Sequence, residues 1–322
     1  MVPVTEAESS EDLLASLAER ERFAPANGIE IAFDEIGDPD GLPLLLIMGL
    51  GTQLIHWDER FCRLLAERGF RVIRFDNRDA GHSTKLTEAG PPGTAAMLLG
   101  YRSAAAYMLR DMAADVTGLM DHLGIEQAHV VGASMGGMIA QTLAIRFPAR
   151  VLSLGSIMST TGNRRLGLPT RKALGSLLGA PPGRREAYAD HVVRVFRLIG
   201  SPGFPRDEAR LREVALAGFD RCYNPSGVAR QLHAITASGD RTAHLRRLRV
   251  PTVVIHGDRD PLVRPAAGRA TARAIPDARL RMVEGMGHDL PQGVWPILVE
   301  EIERNATRPA AGVKPGSVRA GA

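Results

Sequence analysis

The stretch Val130-Val131-Gly132-Ala133-Ser134-Met135-Gly136-Gly137 decides the fold of this chain. An apolar β-branched run stops at Gly132 and a helical pattern begins at Met135, so Ser134 lies on a corner between a strand and a helix. A serine on such a corner presents its hydroxyl outward on a strained backbone, and glycines on either side leave room for the tight crossing. The pattern predicts a nucleophile elbow, with the N–H of Met135 pointing toward whatever group the serine attacks.

The spacing of Gly132, Ser134 and Gly136 is a weak signal by itself, because short glycine patterns also arise by chance. Its weight comes from the predicted strand before it and the predicted helix after it, and no second match occurs in the chain. The alternative is a glycine-flanked serine in an ordinary turn. The two interpretations differ in whether the chain also supplies groups that would activate Ser134.

The composition is that of a large folded protein without a nucleic-acid surface. With 322 residues and 44% hydrophobic content, the chain can bury a sizeable core, as one large domain or as one domain with an insertion. The formal charge is only +4, and no basic run is interleaved with aromatic residues. We therefore expect no nucleic-acid partner.

The chain carries no predicted secretory or membrane segment. Residues 1–23 contain several acids and no apolar core of signal-peptide length, and no apolar run reaches the roughly 18 residues of a membrane helix. Cys62 and Cys222 are far apart and match no metal or redox spacing, which is consistent with a reducing compartment. We expect a soluble, cytoplasmic protein without stable membrane insertion, and we leave its oligomeric state open.

Apolar runs and helical patterns alternate along most of the chain. Strands are predicted at 29–33, 43–48, 71–75, 128–131, 151–158, 250–256 and 278–283. Helices are predicted at 11–22, 58–69, 103–123 and 135–147, and a last amphipathic helix carries Val294, Ile297, Leu298 and Ile302. Continuous apolar runs are typical of strands buried on both faces. The pattern predicts an α/β fold with a mostly parallel sheet flanked by helices, and an active site at the carboxyl ends of the strands.

The same pattern predicts four regions. Residues 1–25 form an N-terminal arm, residues 26–161 and 247–306 form the core, residues 162–246 form an inserted helical cap, and residues 307–322 form a disordered tail. The cap is predicted because its segment holds helical patterns and Gly/Pro clusters at 179–183 and 200–205, but no convincing strand. An insertion at this place would lie over the elbow and select substrate.

Two later segments supply the groups that a serine nucleophile needs. A hydroxyl requires a base to take its proton, and the base requires an orienting acid. His288 follows a predicted strand in a glycine-flanked turn, and the preceding strand ends in a loop that carries Asp258 and Asp260. Both carboxylates qualify by position, and we favour Asp260 because Pro261 fixes the backbone that precedes it. The chain order of serine, acid and histidine is the order that such a fold requires.

A second backbone N–H is needed beside that of Met135 to hold an oxyanion. The predicted strand 43–48 runs into Gly49-Leu50-Gly51, so the N–H of Leu50 is the candidate, and a plain strand-end turn is the alternative.

His256 lies inside an apolar run and is interpreted as a structural residue. No pair of histidines has metal-ligand spacing, so we predict neither a metal site nor a cofactor.

Five ordered motifs resemble the α/β-hydrolase superfamily over roughly residues 28–306. They lie at 46–51, 74–83, 132–137, 257–263 and 285–288, and they are similar to those of bacterial carboxylesterases and the related aclacinomycin methylesterases. Many relatives have His-Gly at the oxyanion turn, where this chain has Met48-Gly49. The resemblance implies a serine hydrolase of carboxylic esters that acts on a small-molecule ester and water.

One scaffold of this kind hosts many reactions, so other chemistries stay open. Perhydrolase or haloperoxidase, lactonase, thioesterase and C–C hydrolase activities are all compatible with Ser134, whereas the aspartate-nucleophile branch of the superfamily is not. A ligand-sensing protein that retains the three residues without turnover is the alternative from another class.

Overall fold

A computed structural model describes residues 9–178 and 181–308, and its central element is an eight-stranded sheet. The strand order is β1-β2-β4-β3-β5-β6-β7-β8. The pairings of β2 with β1 and β4 are antiparallel, and all others are parallel. The strands are β1 (Arg22–Ala26), β2 (Ile29–Ile36), β3 (Leu42–Ile47), β4 (Phe70–Phe75), β5 (Ala128–Ala133), β6 (Val151–Ile157), β7 (Thr252–Gly257) and β8 (Arg279–Val283).

Helices cover both faces of the sheet. Within the described residues they are α1 (Ser10–Ala18), α2 (Glu59–Ala66), α3 (Thr94–Leu99), α4 (Leu109–His122), α5 (Met135–Arg146), α6 (Arg171–Leu178), α7 (Arg185–Ile199), α8 (Glu208–Arg221), α9 (Pro225–Ser238), α10 (Thr242–Leu245), α11 (Pro265–Ala274) and α12 (Trp295–Ala306). Alternate residues of β5 pack into opposite layers, with Val130 in the core beside α4 and α5 and Val131 in the core beside α2 and α12. The predicted α/β fold class is therefore confirmed.

Burial on both faces explains why the strands are apolar throughout. Every residue of β5 and of β7 is buried, so the sequence shows no polar alternation there. Parallel strands place their carboxyl ends at one edge of the sheet, and the loops after β3, β5, β7 and β8 therefore meet at that edge.

Two local predictions were wrong in their bounds. The helix predicted over 103–123 begins only at Leu109, where Asp111 accepts a hydrogen bond from the N–H of Met108 and caps the first turn. The helix predicted over 11–22 ends at Ala18, and β1 begins at Arg22, within the predicted arm, where it pairs with β2. Alternating burial along β1 favours an edge strand over a longer helix.

The insertion between β6 and β7 contains α6, α7, α8, α9 and α10 and no strand among its described residues. The division of the chain into arm, core and cap stays a prediction. Residues 1–8, 179–180 and 309–322 lie outside the described part, including most of the predicted tail. Of the helices described, none is long and apolar enough to span a membrane.

Candidate active site

The turn from β5 to α5 has the geometry of the predicted elbow. Ser134 has a φ of 55°, a region that residues with side chains rarely occupy, and such strain is typical of functional sites. A Cβ at Gly132 would lie 2.1 Å from the carbonyl oxygen of Gly136, and a Cβ at Gly136 would lie 1.9 Å from that of Ile47. Only glycine fits at these two positions, because the strand and the helix cross in direct backbone contact.

The structure brings Ser134, His288 and Asp260 into one hydrogen-bonded chain. Ser134 Oγ lies 3.0 Å from His288 Nε2, and His288 Nδ1 lies 2.7 Å from Asp260 Oδ2. Asp260 and His288 are buried on the loops after β7 and β8, whereas Ser134 is partly accessible. Ser134 is thus the accessible end of this series of hydrogen bonds, as a nucleophile requires.

The two candidate carboxylates have different partners. Asp260 Oδ1 accepts hydrogen bonds from the N–H groups of Leu262 and Val263, which leaves Oδ2 directed at His288. Asp258 Oδ1 instead accepts from the N–H of Gly285 at 2.7 Å. Asp258 therefore braces the turn that precedes His288 and does not contact the imidazole.

His256 supports the loop that carries Asp260. Its Nε2 donates to the carbonyl oxygen of Val263 at 2.7 Å and lies 3.6 Å from Asp260 Oδ2. Burial lowers the pKa of His256, so the neutral imidazole is favoured in the folded protein. This position agrees with the structural role inferred from the apolar run around it.

Acidification should destabilise the fold through His56. Burial lowers the pKa of His56 to about 4, whereas an unfolded histidine titrates near ~6.5. Between these values the unfolded chain binds a proton and the folded chain does not, so stability is lost as the pH falls from ~6.5 toward ~4. We expect this residue to contribute on the order of 1–3 kcal/mol to that loss. Urea unfolding at several pH values across this range gives the free energy of unfolding, which should fall less steeply with decreasing pH in His56→Gln than in the parent. An equal pH dependence in the two proteins would contradict this role of His56.

The loop of His288 is also tied to the insertion, which sequence reasoning missed. The N–H of His288 donates to the carbonyl oxygen of Ile199 at 2.7 Å, and the N–H of Gly287 donates to Ser201 Oγ at 2.8 Å. The N–H of Gly203 donates back to Gly285 at 2.9 Å. The Gly/Pro cluster at 200–205 is the available signal, but in the sequence it indicates only a break between helices of the predicted cap.

The predicted oxyanion donors are Met135, the first residue of α5, and Leu50, in the turn after β3. The Gly49-Leu50-Gly51 turn follows β3, and a Cβ at Gly49 would lie 3.3 Å from Ser134 Cβ. The N–H groups of Leu50 and Met135 have no hydrogen-bond acceptor among the described residues. Neither N–H is therefore committed to another described group, as the predicted oxyanion role requires.

No cluster that could hold a metal ion occurs within 9–178 and 181–308, where three or more His, Cys, Asp or Glu side chains would have to converge.

The fold and a family match identify the class of protein. Residues 43–291 match the profile of the alpha/beta hydrolase fold family, and the chain belongs to that family. The resemblance predicted from the five motifs is confirmed.

Two relatives indicate which kind of hydrolase this chain resembles. The chain is 32% identical over 294 residues to the rhodomycin D methylesterase DauP of Streptomyces sp. strain C5, covering 85% of this chain and 93% of that protein. It is 30% identical over 280 residues to the rhodomycin D methylesterase DnrP of Streptomyces peucetius, covering 80% and 89%. These relatives confirm the prediction of an esterase-like serine hydrolase.

A solved structure agrees at the level of the fold. A meta-cleavage product hydrolase from Pseudomonas fluorescens superposes with a TM-score of 0.72 at 19% identity, covering 89% of this chain and 98% of that chain. At this identity the likeness supports the architecture and not a shared reaction.

Proposed function

We propose that this protein hydrolyses carboxylic esters, with Ser134 as nucleophile, His288 as general base and acid, and Asp260 as the orienting carboxylate. The observation that carries the proposal is the chain of 3.0 Å and 2.7 Å contacts that ends on the strained elbow serine. The N–H groups of Leu50 and Met135 hold the oxyanion. No cofactor takes part in the proposed reaction.

The proposed reaction has two halves. His288 Nε2 accepts the proton of Ser134 as its oxygen attacks the ester carbonyl, and the imidazolium is stabilised by Asp260. The tetrahedral intermediate collapses when His288 returns the proton to the leaving alcohol, which leaves an acyl-enzyme. Water then attacks this ester with His288 again as base, and the carboxylic acid and free Ser134 are released.

The substrate class follows from the relatives and from the insertion. Two relatives are named methylesterases, which supports a carboxylic ester with a small alcohol group. We propose that residues 162–246 form a cap over the elbow, since their α7 ends at the carbonyl that binds the His288 loop. Small to medium esters and water are the proposed partners, and the cytoplasmic location stays a prediction.

A hydrolysis screen tests the proposal. Purified protein should release nitrophenol from aryl esters, from acetate to octanoate, with a burst that equals the enzyme concentration when deacylation is slower than acylation. It should also hydrolyse methyl esters. Turnover of lactones, thioesters or C–C substrates in preference to esters would replace the ester assignment with one of those reactions. Covalent labelling without turnover of any ester would indicate a ligand sensor.

A further inference from the structure

The turn that carries the proposed oxyanion donor is held by three side chains, one on each of its successive peptide groups. Asn77 Nδ2 donates to the carbonyl oxygen of Met48 at 3.0 Å. Thr52 Oγ1 donates to the carbonyl oxygen of Gly49 at 3.0 Å. The N–H of Gly51 donates to Gln231 Oε1 at 2.9 Å. The orientation of each peptide group is therefore set by a different side chain.

Thr52 acts on the peptide group that contains the Leu50 N–H. That peptide joins the carbonyl of Gly49 to the nitrogen of Leu50, and in a trans peptide the two bonds point in opposite directions. The Thr52 hydroxyl holds the Gly49 carbonyl, so it also fixes the direction of the N–H of Leu50. Because this N–H has no acceptor among the described residues, nothing on its own side of the peptide would keep it in place.

Gln231 holds the next peptide group from α9, in the insertion. Its side chain is fully buried, and both ends of its amide are engaged, because Nε2 donates to the carbonyl oxygen of Arg78 at 2.8 Å. Gly51 has a φ of 68°, and a Cβ there would lie 2.9 Å from Val228 on the same helix. The turn is thus pressed between the elbow and α9, and Gln231 is its polar contact with that helix.

We propose that Thr52 and Gln231 are positioning residues that orient the Leu50 N–H toward the oxyanion, an inference that rests on the proposed function. Neither side chain reacts. Without them the peptide groups around Leu50 can rotate, and the site loses much of one preorganised donor. Gln231 also makes the geometry of the oxyanion turn depend on the insertion, which becomes part of the catalytic apparatus as well as a cover.

Matched substitutions test the proposal. Thr52→Val retains the shape and removes the hydroxyl, whereas Thr52→Ser retains the hydroxyl. Gln231→Met removes both hydrogen bonds at similar volume. Its control is Gln141→Met, because Gln141 is equally buried and bonded to Ser156 and Arg241, away from the turn. Thermal unfolding verifies that each variant is folded at the assay temperature.

The primary measurement is the second-order rate at which a fluorophosphonate labels Ser134, since its P=O oxygen enters the oxyanion site and no ester turnover is needed. We expect Thr52→Val and Gln231→Met to label roughly ten- to a hundredfold more slowly, below the roughly 10²- to 10³-fold effect of removing a donor outright. Thr52→Ser and Gln141→Met should label at close to the parent rate. With aryl acetate as substrate, kcat should fall by a similar factor and KM should change little.

The outcomes separate this inference from the proposed function. Equal labelling rates in folded Thr52→Val and Thr52→Ser, or equal losses in Gln231→Met and Gln141→Met, would overturn the positioning roles. If the parent hydrolyses no ester but labels at a rate that depends on Thr52 and Gln231, the positioning roles stand and the ester assignment fails.

Discussion

Replacing Ser134 by alanine should lower ester turnover on the order of 10⁶-fold, the scale of effect when a serine nucleophile is removed. The loss is this large because the acyl-enzyme cannot form, whereas binding and the oxyanion donors remain. Stability should stay near that of the parent, because alanine retains the Cβ and therefore the strain at a φ of 55°. Fluorophosphonate labelling should disappear with the turnover. Both are measured on the same purified variant.

Ser134→Gly is the matched variant. It should be as inactive as Ser134→Ala but more stable, by roughly 1 kcal/mol, because glycine adopts a positive φ without a steric penalty. Hydrolysis or labelling that persists in either variant would show that another residue is the nucleophile. A glycine variant that unfolds at a lower temperature than the alanine variant would argue against strain at the elbow.

Asp260→Asn should lower kcat by about 10⁴-fold, whereas Asp258→Asn should have a far smaller effect. An asparagine at 260 can present its NH₂ to His288 Nδ1, which favours the tautomer with the proton on Nε2 and so blocks proton transfer from Ser134. Asp258 contacts the backbone N–H of Gly285 rather than the imidazole, and an asparagine oxygen there can still accept that hydrogen bond. Steady-state kinetics on both variants gives the comparison.

The opposite ranking would assign the orienting role to Asp258. Comparable losses in both variants would indicate that the loop geometry, rather than the charge on Asp260, limits the reaction. Labelling of Ser134 provides a second readout, because it requires the same proton transfer and should fall in Asp260→Asn alone.

The helix bounds show where local patterns were insufficient. The sequence predicts one helix over 103–123, yet α4 begins at Leu109, where Asp111 caps the N–H of Met108. Similarly, β1 is a strand because β2 offers it an edge, and no periodicity within so short a segment could indicate that.

The sequence by itself determined the elbow, because part of its cause is local. A Cβ at Gly132 would meet the backbone of Gly136, so the spacing of the glycines around Ser134 already implies the tight turn, and β3 makes the same demand of Gly136 from a distant part of the chain. The positions of Ser134, Asp260 and His288 after β5, β7 and β8 likewise place them at one sheet edge, since parallel strands end together.

Only the tertiary structure decided how the surrounding groups are oriented. Gly51 and Gln231 are 180 positions apart and their hydrogen bond has no sequence signal, because a buried glutamine on a helix can serve any neighbouring backbone group. The bonds from residues 199–203 to the His288 loop are of the same kind. Motifs therefore predicted which groups react, and packing of the insertion on the sheet determined which side chains and backbone groups hold them, because hydrogen-bond direction depends on the three-dimensional position of both partners.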